Sequence, residues 1–199
     1  MMPTLPRGLV AVGAPLLLLV YGPAGATAQA PKYTRADVEF MQGMIGHHAQ
    51  AVDMAALVPS RTRNESVHLL AQRIAISQRD EIRRMQTWLR DRGQAVPDPG
   101  APMQHASEGH EMLMPGMLTA EQMAQLTAAR DGEFDALFLR LMIQHHEGAL
   151  TMVKTLFSSP GSAQETATFR YASDVDADQR IEIQRMRKML DAMPESHHS

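Results

Sequence analysis

Met44, His47 and His48 stand together as Met-x2-His-His, and the same set returns as Met142, His145 and His146. The frame around them repeats as well. Phe40, Met44-Ile45, His47-His48, Ala51 and Met54 recur at the same spacing as Phe138, Met142-Ile143, His145-His146, Ala149 and Met152. Such self-similarity marks a duplicated structural unit. Thioether sulfur is a soft, neutral ligand suited to Cu(I), and imidazole serves Cu(I), Cu(II), Zn and Ni. The combination points to copper in either oxidation state, with iron second. Imidazole must lose its proton to ligate, whereas thioether carries none, so the Met part of such a site keeps binding as pH falls.

Placed on a helix, Phe40, Met44, His47, His48, Ala51, Met54, Ala55 and Val58 share one side. Met44 precedes the two histidines by three and four residues, which makes the three side chains neighbours. Met54 lies ~15 Å along the axis from Met44, too far to share an ion with it. Met54 and Met152 are therefore auxiliary candidates, and filling the core is an equal alternative for them. Gly43 and Gly46 lie on the back of this helix, where each costs ~1 kcal/mol relative to Ala and suggests close approach by the crossover.

The elements that must carry these residues are helices. Thr34 and Asp37 open the first, and Pro59-Ser60 close it. Thr62-Arg63-Asn64-Glu65 reads as a capping box for a second helix ending before Gly93. On that helix Gln78, Glu81 and Met85 fall within the apolar stripe, and they return as Gln179, Glu182 and Met186 in a helix headed by the expected capping box Ser162-Ala163-Gln164-Glu165. Met85 and Met186 are placed to reach the His-Met sets. Glu81 and Glu182 serve either as acceptors that orient the imidazoles or as ligands, since a buried carboxylate needs a partner.

Two hairpins, 34–92 and 131–193, each with a stripe it cannot hide alone, bury it by packing together across a long crossover, 93–130. The expected fold is all-α, a ferritin-like four-helix bundle. The first part of the crossover, 93–116, is rich in Pro and Gly and should lack regular structure, with a short helix starting after Thr119. Met103, His105, His110, Met112, Met114 and Met117 fall in it. They make either a second metal-catching segment or a polar linker that happens to hold Met. His197 and His198 end the chain as an incidental pair.

Residues 1–28 read as a secretory signal: Arg7, the apolar run from Leu9 to Val20, then small residues allowing cleavage after Ala26 or Ala28. The run is short and interrupted by Gly13 and Pro15, so no stable membrane insertion is expected after cleavage. The mature chain, 29–199, is one domain by length, exported to the periplasm or beyond. With Cys 0, disulfides and thiolate sites are excluded. Removing Arg7 from 19 Lys+Arg against 22 Asp+Glu moves the net charge from −3 to −4, which argues against nucleic acid as a partner. Metal ions, and a protein that accepts copper from this one, are the expected partners.

Other classes fit less well. A ferritin-like di-metal (iron) oxidase needs paired Glu-x-x-His, and only Glu65-x-x-His68 has that spacing. A haem protein with His or Met axial ligands is a further alternative, but the Cys-x-x-Cys-His of covalent haem attachment is absent and non-covalent haem leaves little sequence trace. A purely structural or partner-binding bundle and a sacrificial Met-oxidation role for the linker complete the alternatives. No nucleophile–base set is present, so no enzyme is expected.

These motifs resemble the domain of unknown function 305 family of exported bacterial proteins. The resemblance rests on Phe40-x3-Met44-Ile45-x-His47-His48-x2-Ala51-x2-Met54, Gln78-x2-Glu81-Ile82-x2-Met85-x2-Trp88-Leu89, Met114-x-Gly116-Met117 and Phe134-Asp135-x2-Phe138-x3-Met142-Ile143-x-His145-His146. It implies a ferritin-like helical bundle, and some similar proteins are periplasmic copper binders linked to copper tolerance. One departure is Met189-Leu190 where the first half has Trp88-Leu89, so the halves need not bind metal equally.

Overall fold

The structure, a computed structural model, describes residues 33–100 and 113–193. The expected signal at 1–28, the linker residues Met103, His105, His110 and Met112, and the terminal His197 and His198 lie outside the described residues. Those described form helices and loops without strands. The order is α1 (Arg35–Leu57), a 3-10 turn (Val58–Ser60), α2 (Glu65–Asp91), α3 (Ala120–Ala128), α4 (Asp131–Ser158) and α5 (Thr166–Asp191).

Local chemistry sets the ends. Thr34 and Asp37 form a reciprocal capping box at α1, and Thr119 and Gln122 form another at α3. The two other expected boxes do not form. Asn64, not Thr62, caps α2 by accepting from the Ser66 N–H, while the Thr62 hydroxyl accepts from the Asn64 N–H. At α5 the chain enters through Glu165 without a side-chain cap, because the Ser162 hydroxyl is turned back onto the carbonyls of Leu156 and Ser159.

Long-range clasps account for both departures. Asp37, buried on α1, accepts at 2.7 Å from the N–H of Ala163 in the α4–α5 turn, holding that residue at φ 53. Asp135, its counterpart on α4, accepts at 2.7 Å from the Asn64 side chain in the α1–α2 turn. Each hairpin thus fixes the turn of the other. A turn residue committed to a tertiary contact is unavailable for the local cap that its sequence suggests.

The hairpins are α1 with α2 and α4 with α5, joined where α1 packs against α4. At the edge between α2 and α5, Trp88 Nε1 donates to Glu165 at 3.1 Å and Arg92 pairs with the same carboxylate while lying over the Trp88 ring. Two apolar clusters fill the ends of the bundle. One gathers Met54, Ile74, Phe134, Phe138, Met142 and Met186, the other Phe40, Met44, Met85, Leu89, Val153 and Val175. Buried alongside them are the polar residues His47, His48, Gln78, Glu81, His145, His146 and Gln179.

Candidate metal centre

The apolar stripes of α1 and α4 carry the histidines into the core because each His-His pair occupies two adjacent positions of a stripe that is otherwise buried. All four imidazoles are fully buried. His47 and His145 meet between the two hairpins, with ring centroids 3.9 Å apart and planes inclined by 39°. His48 and His146 flank them, at 6.3 and 6.2 Å from their chain neighbours. The four rings form one array across the pseudo-symmetric halves.

Three of the rings are oriented by acceptors. His48 Nε2 lies 2.5 Å from Glu81 Oε2, and His146 Nε2 lies 2.7 Å from Glu182 Oε2. His47 Nε2 lies 3.0 Å from the carbonyl of Pro115 in the crossover. A carboxylate or carbonyl oxygen accepts, so the proton belongs on Nε2 in each. A neutral ring so held keeps its lone pair on Nδ1. Those three Nδ1 atoms, and both nitrogens of His145, are buried without a hydrogen-bond partner.

Burial, followed by the neighbouring His48, pushes His47 down to about 3, against the hydrogen bond to Pro115, with His146 contributing least. Burial, then His47, His146 and His48, hold His145 well below the usual imidazole range, against a loose contact with the His47 main chain. Both rings are therefore neutral at neutral pH, the form that ligates metal. Burial would raise Glu81, but hydrogen bonds from His48 and Ser77 and the charges of His48 and Arg84 outweigh it and leave this carboxyl below its ordinary value. Glu81 is thus a carboxylate, suited to orienting the imidazole that it faces.

Among the described residues, no group of three or more His, Asp and Glu side chains is gathered as for a single ion. The reason is visible in the pairing: Glu81 and Glu182 each face Nε2 of one ring, while Nδ1 of those rings meets no polar partner. Met44 and Met85 pack together in one apolar cluster, and Met142 and Met186 in the other, all four fully buried. Met54 lies in the cluster opposite to that of Met44, and Met152 is half-buried beside Met44's cluster. The donor set on the page is nitrogen and thioether, which fits copper better than a hard cation.

The crossover supplies what reading by helical stripes missed. Met114-Pro115-Gly116-Met117 is a tight turn, with Met117 N–H donating to Met114 C=O at 3.1 Å and Gly116 at φ 78. Pro followed by a residue of positive φ is the signature of a type II turn. The turn is tied to α1 by Gln50, whose side chain accepts from Leu118 N–H at 2.7 Å and donates to Leu118 C=O at 3.0 Å. It is seated on α4 at Gly148, where a Cβ would collide with the Pro115 carbonyl and come within 2.6 Å of Gly116 Cα. The Pro-Gly pair and Gly148 were the available sequence signals.

The model of the domain of unknown function DUF305 matches residues 37–190. The chain belongs to the DUF305 family. A crystallised DUF305 fragment from Deinococcus radiodurans is 34% identical and superposes with a TM-score of 0.69 over 82% of this chain and 100% of that one. A DUF305 protein of Streptomyces coelicolor, assigned to the secreted proteins, is 30% identical with a TM-score of 0.68 over 85% and 100%. CopM in its Cu(II)-bound form is 26% identical with a TM-score of 0.62 over 78% and 95%. The uncharacterized protein L153 of Acanthamoeba polyphaga mimivirus is 38% identical over 56 residues, 28% of this DUF305 chain and 37% of the viral one. No described helix is long and apolar enough to cross a membrane.

Proposed function

We propose that this DUF305 protein binds copper between its two hairpins and serves in copper sequestration, tolerance or transfer outside the cytoplasm. The observation that carries this reading is the set of unpartnered nitrogens on four buried imidazoles, with Nδ1 of the neutral His47 ring preset as a lone pair by the bond from Nε2 to Pro115. Buried polar atoms without partners are rare in folded proteins. Met44 with Met85 and Met142 with Met186 supply soft donors from the adjoining clusters. Likeness to CopM, solved with Cu(II) and with Cu(I), supports the same choice of metal. The signal-like residues 1–28 support export to the periplasm or medium.

A ferritin-type iron oxidase has less support. Its expected Glu-x-x-His68 unit is turned to the α1–α2 loop, with His68 Nε2 2.8 Å from the Thr62 carbonyl. The protein acts in this reading as a binder rather than an enzyme. Elemental analysis of the untagged mature protein after exposure to Cu(I), Cu(II), Zn(II) and Fe(II) tests it, beside a variant with His47, His48, His145 and His146 changed to Ala. Copper retained by the native protein and lost by a folded variant is expected. Equal retention in both would overturn the site, and retained iron with oxygen consumption would replace it by oxidase chemistry.

A further inference from the structure

A second pair of thioethers lies over Gly43 of α1, one helical turn before His47 and beside the imidazole stripe. A Cβ at Gly43 would stand 3.1 Å from Met114 Sδ and 3.3 Å from Met152 Cε. Two thioether ends from different elements, the crossover turn and α4, therefore converge on the space that this glycine leaves open. They lie within about 6.4 Å of each other, and Met has three rotatable bonds with which to bring its sulfur inward. Both residues are half-buried, within reach of solvent.

Core filling does not account for this pair. Met54, the counterpart of Met152 in the other half, is completely enclosed in the apolar core. The position matching Gly43 is Leu141, whose side chain is buried in that core. The opening exists at Gly43 and not at its counterpart Leu141. The type II turn also brings the Met117 main chain back against that of Met114, so that a third Met belongs to the same turn. No carboxylate or imidazole is among the atoms nearest to the Gly43 opening.

We propose that Met114 and Met152, with Met117 completing the set, bind a soft monovalent cation at the surface, as a loading or hand-off point separate from the buried imidazoles. Neutral sulfur donors without nitrogen or oxygen select Cu(I) over Cu(II) and the hard cations. The proposal rests on the copper reading above only for the identity of the ion in the cell. The chemistry of the site stands on the converging thioethers of Met114 and Met152 alone.

The test compares the mature protein with a Met114→Leu/Met152→Leu variant, a swap close in volume that removes both sulfurs. Ag(I) is the probe for the thioether site, and Cu(II) the probe for the imidazoles. The native protein should bind one more equivalent of Ag(I) than the variant, with Cu(II) uptake the same in both. Mass spectrometry after peroxide treatment should show Ag(I) shielding Met114 and Met152 at least fivefold, and leaving half-buried Met123 of α3 unshielded. Equal Ag(I) stoichiometry in both proteins, or no selective shielding, would overturn the proposal. If neither protein retains Cu(II) but the Ag(I) difference persists, the buried imidazole site fails and this one stands.

Discussion

Gly148→Ala isolates the part played by the crossover. In most helices this change stabilises, because Ala is better than Gly by about 1 kcal/mol in a helix interior. Here the added Cβ meets backbone, the carbonyl of Pro115 and the Cα of Gly116, rather than the yielding end of a side chain. The turn must retreat by about an ångström to clear it, which stretches the 3.0 Å His47 Nε2–Pro115 contact past hydrogen-bond range. A buried N–H left without an acceptor costs about 1–3 kcal/mol, and the paired bonds between Gln50 and Leu118 weaken with it.

Set against the helical gain, the net loss is about 1–3 kcal/mol, or a fall in Tm of about 2–10 °C for a chain of this size. Calorimetry of the apoprotein measures the loss, and nitrogen NMR of His47 reports its tautomer. The native ring should hold its proton on Nε2, and the variant should show a mixture. Gly43→Ala is the control, because the added Cβ there meets only the mobile ends of Met114 and Met152 and should leave Tm within 2 °C or raise it. A Gly148→Ala protein with native Tm and an unchanged His47 tautomer would refute the reasoning.

Glu81→Gln and Glu182→Gln keep the shape of the acceptors but weaken their hold on His48 and His146, so equilibrium dialysis should show copper affinity reduced about 10–100-fold with the helical content retained. The apoprotein should lose stability in acid. With His47 near 6.5 when unfolded and about 3 when folded, the unfolded chain takes up a proton between those values and the folded chain does not, so stability falls as pH drops through that window. The full effect is of the order of 5 kcal/mol, of which about 3 kcal/mol falls between pH 7 and pH 4, where urea titrations read it, and equal midpoints at the two would contradict it. Glu165→Ala removes the carboxylate shared by Trp88 and Arg92 and should lower stability by about 1–3 kcal/mol, with a shift in Trp fluorescence as the check. Copper at a hundredfold excess over its Kd should raise Tm by about 5–10 °C, reversed by a chelator, whereas a purely structural bundle would not respond.

The stripe of α1, the return of that stripe in α4 and the inward turn of Gln78 and Glu81 were legible because each follows from helical period and residue type alone. What the sequence concealed depends on residues far apart in the chain. Thr62 and Ser162 have the spacing of capping residues, but Asn64 and Ala163 are held by Asp135 and Asp37 of the opposite hairpin, and the helices start where those clasps allow. The carbonyl that orients His47 belongs to Pro115, and a main-chain oxygen leaves no mark in residue type. Gly43, unexplained by its own helix, acquires a reason from the two sulfurs that end above it.

The repeat predicts two equivalent His-His pairs, and the outer rings comply: His48 and His146 each face a glutamate from the partner helix of their own hairpin. The inner rings cannot. Two hairpins need only one connection, so the crossover passes over α1 and α4 once and has one Pro115 carbonyl to offer. His47 receives it and is fixed with Nδ1 free, while His145, 3.9 Å away across the interface, has a partner on neither nitrogen. Duplication therefore gives the bundle its symmetry, and the single crossover removes that symmetry where the chemistry lies. His145 can present either nitrogen to an ion at the expense of no more than a loose contact with the His47 main chain, whereas His47 must break with Pro115 to present Nε2. The two inner histidines are thus different ligands despite standing at matching places in the repeat.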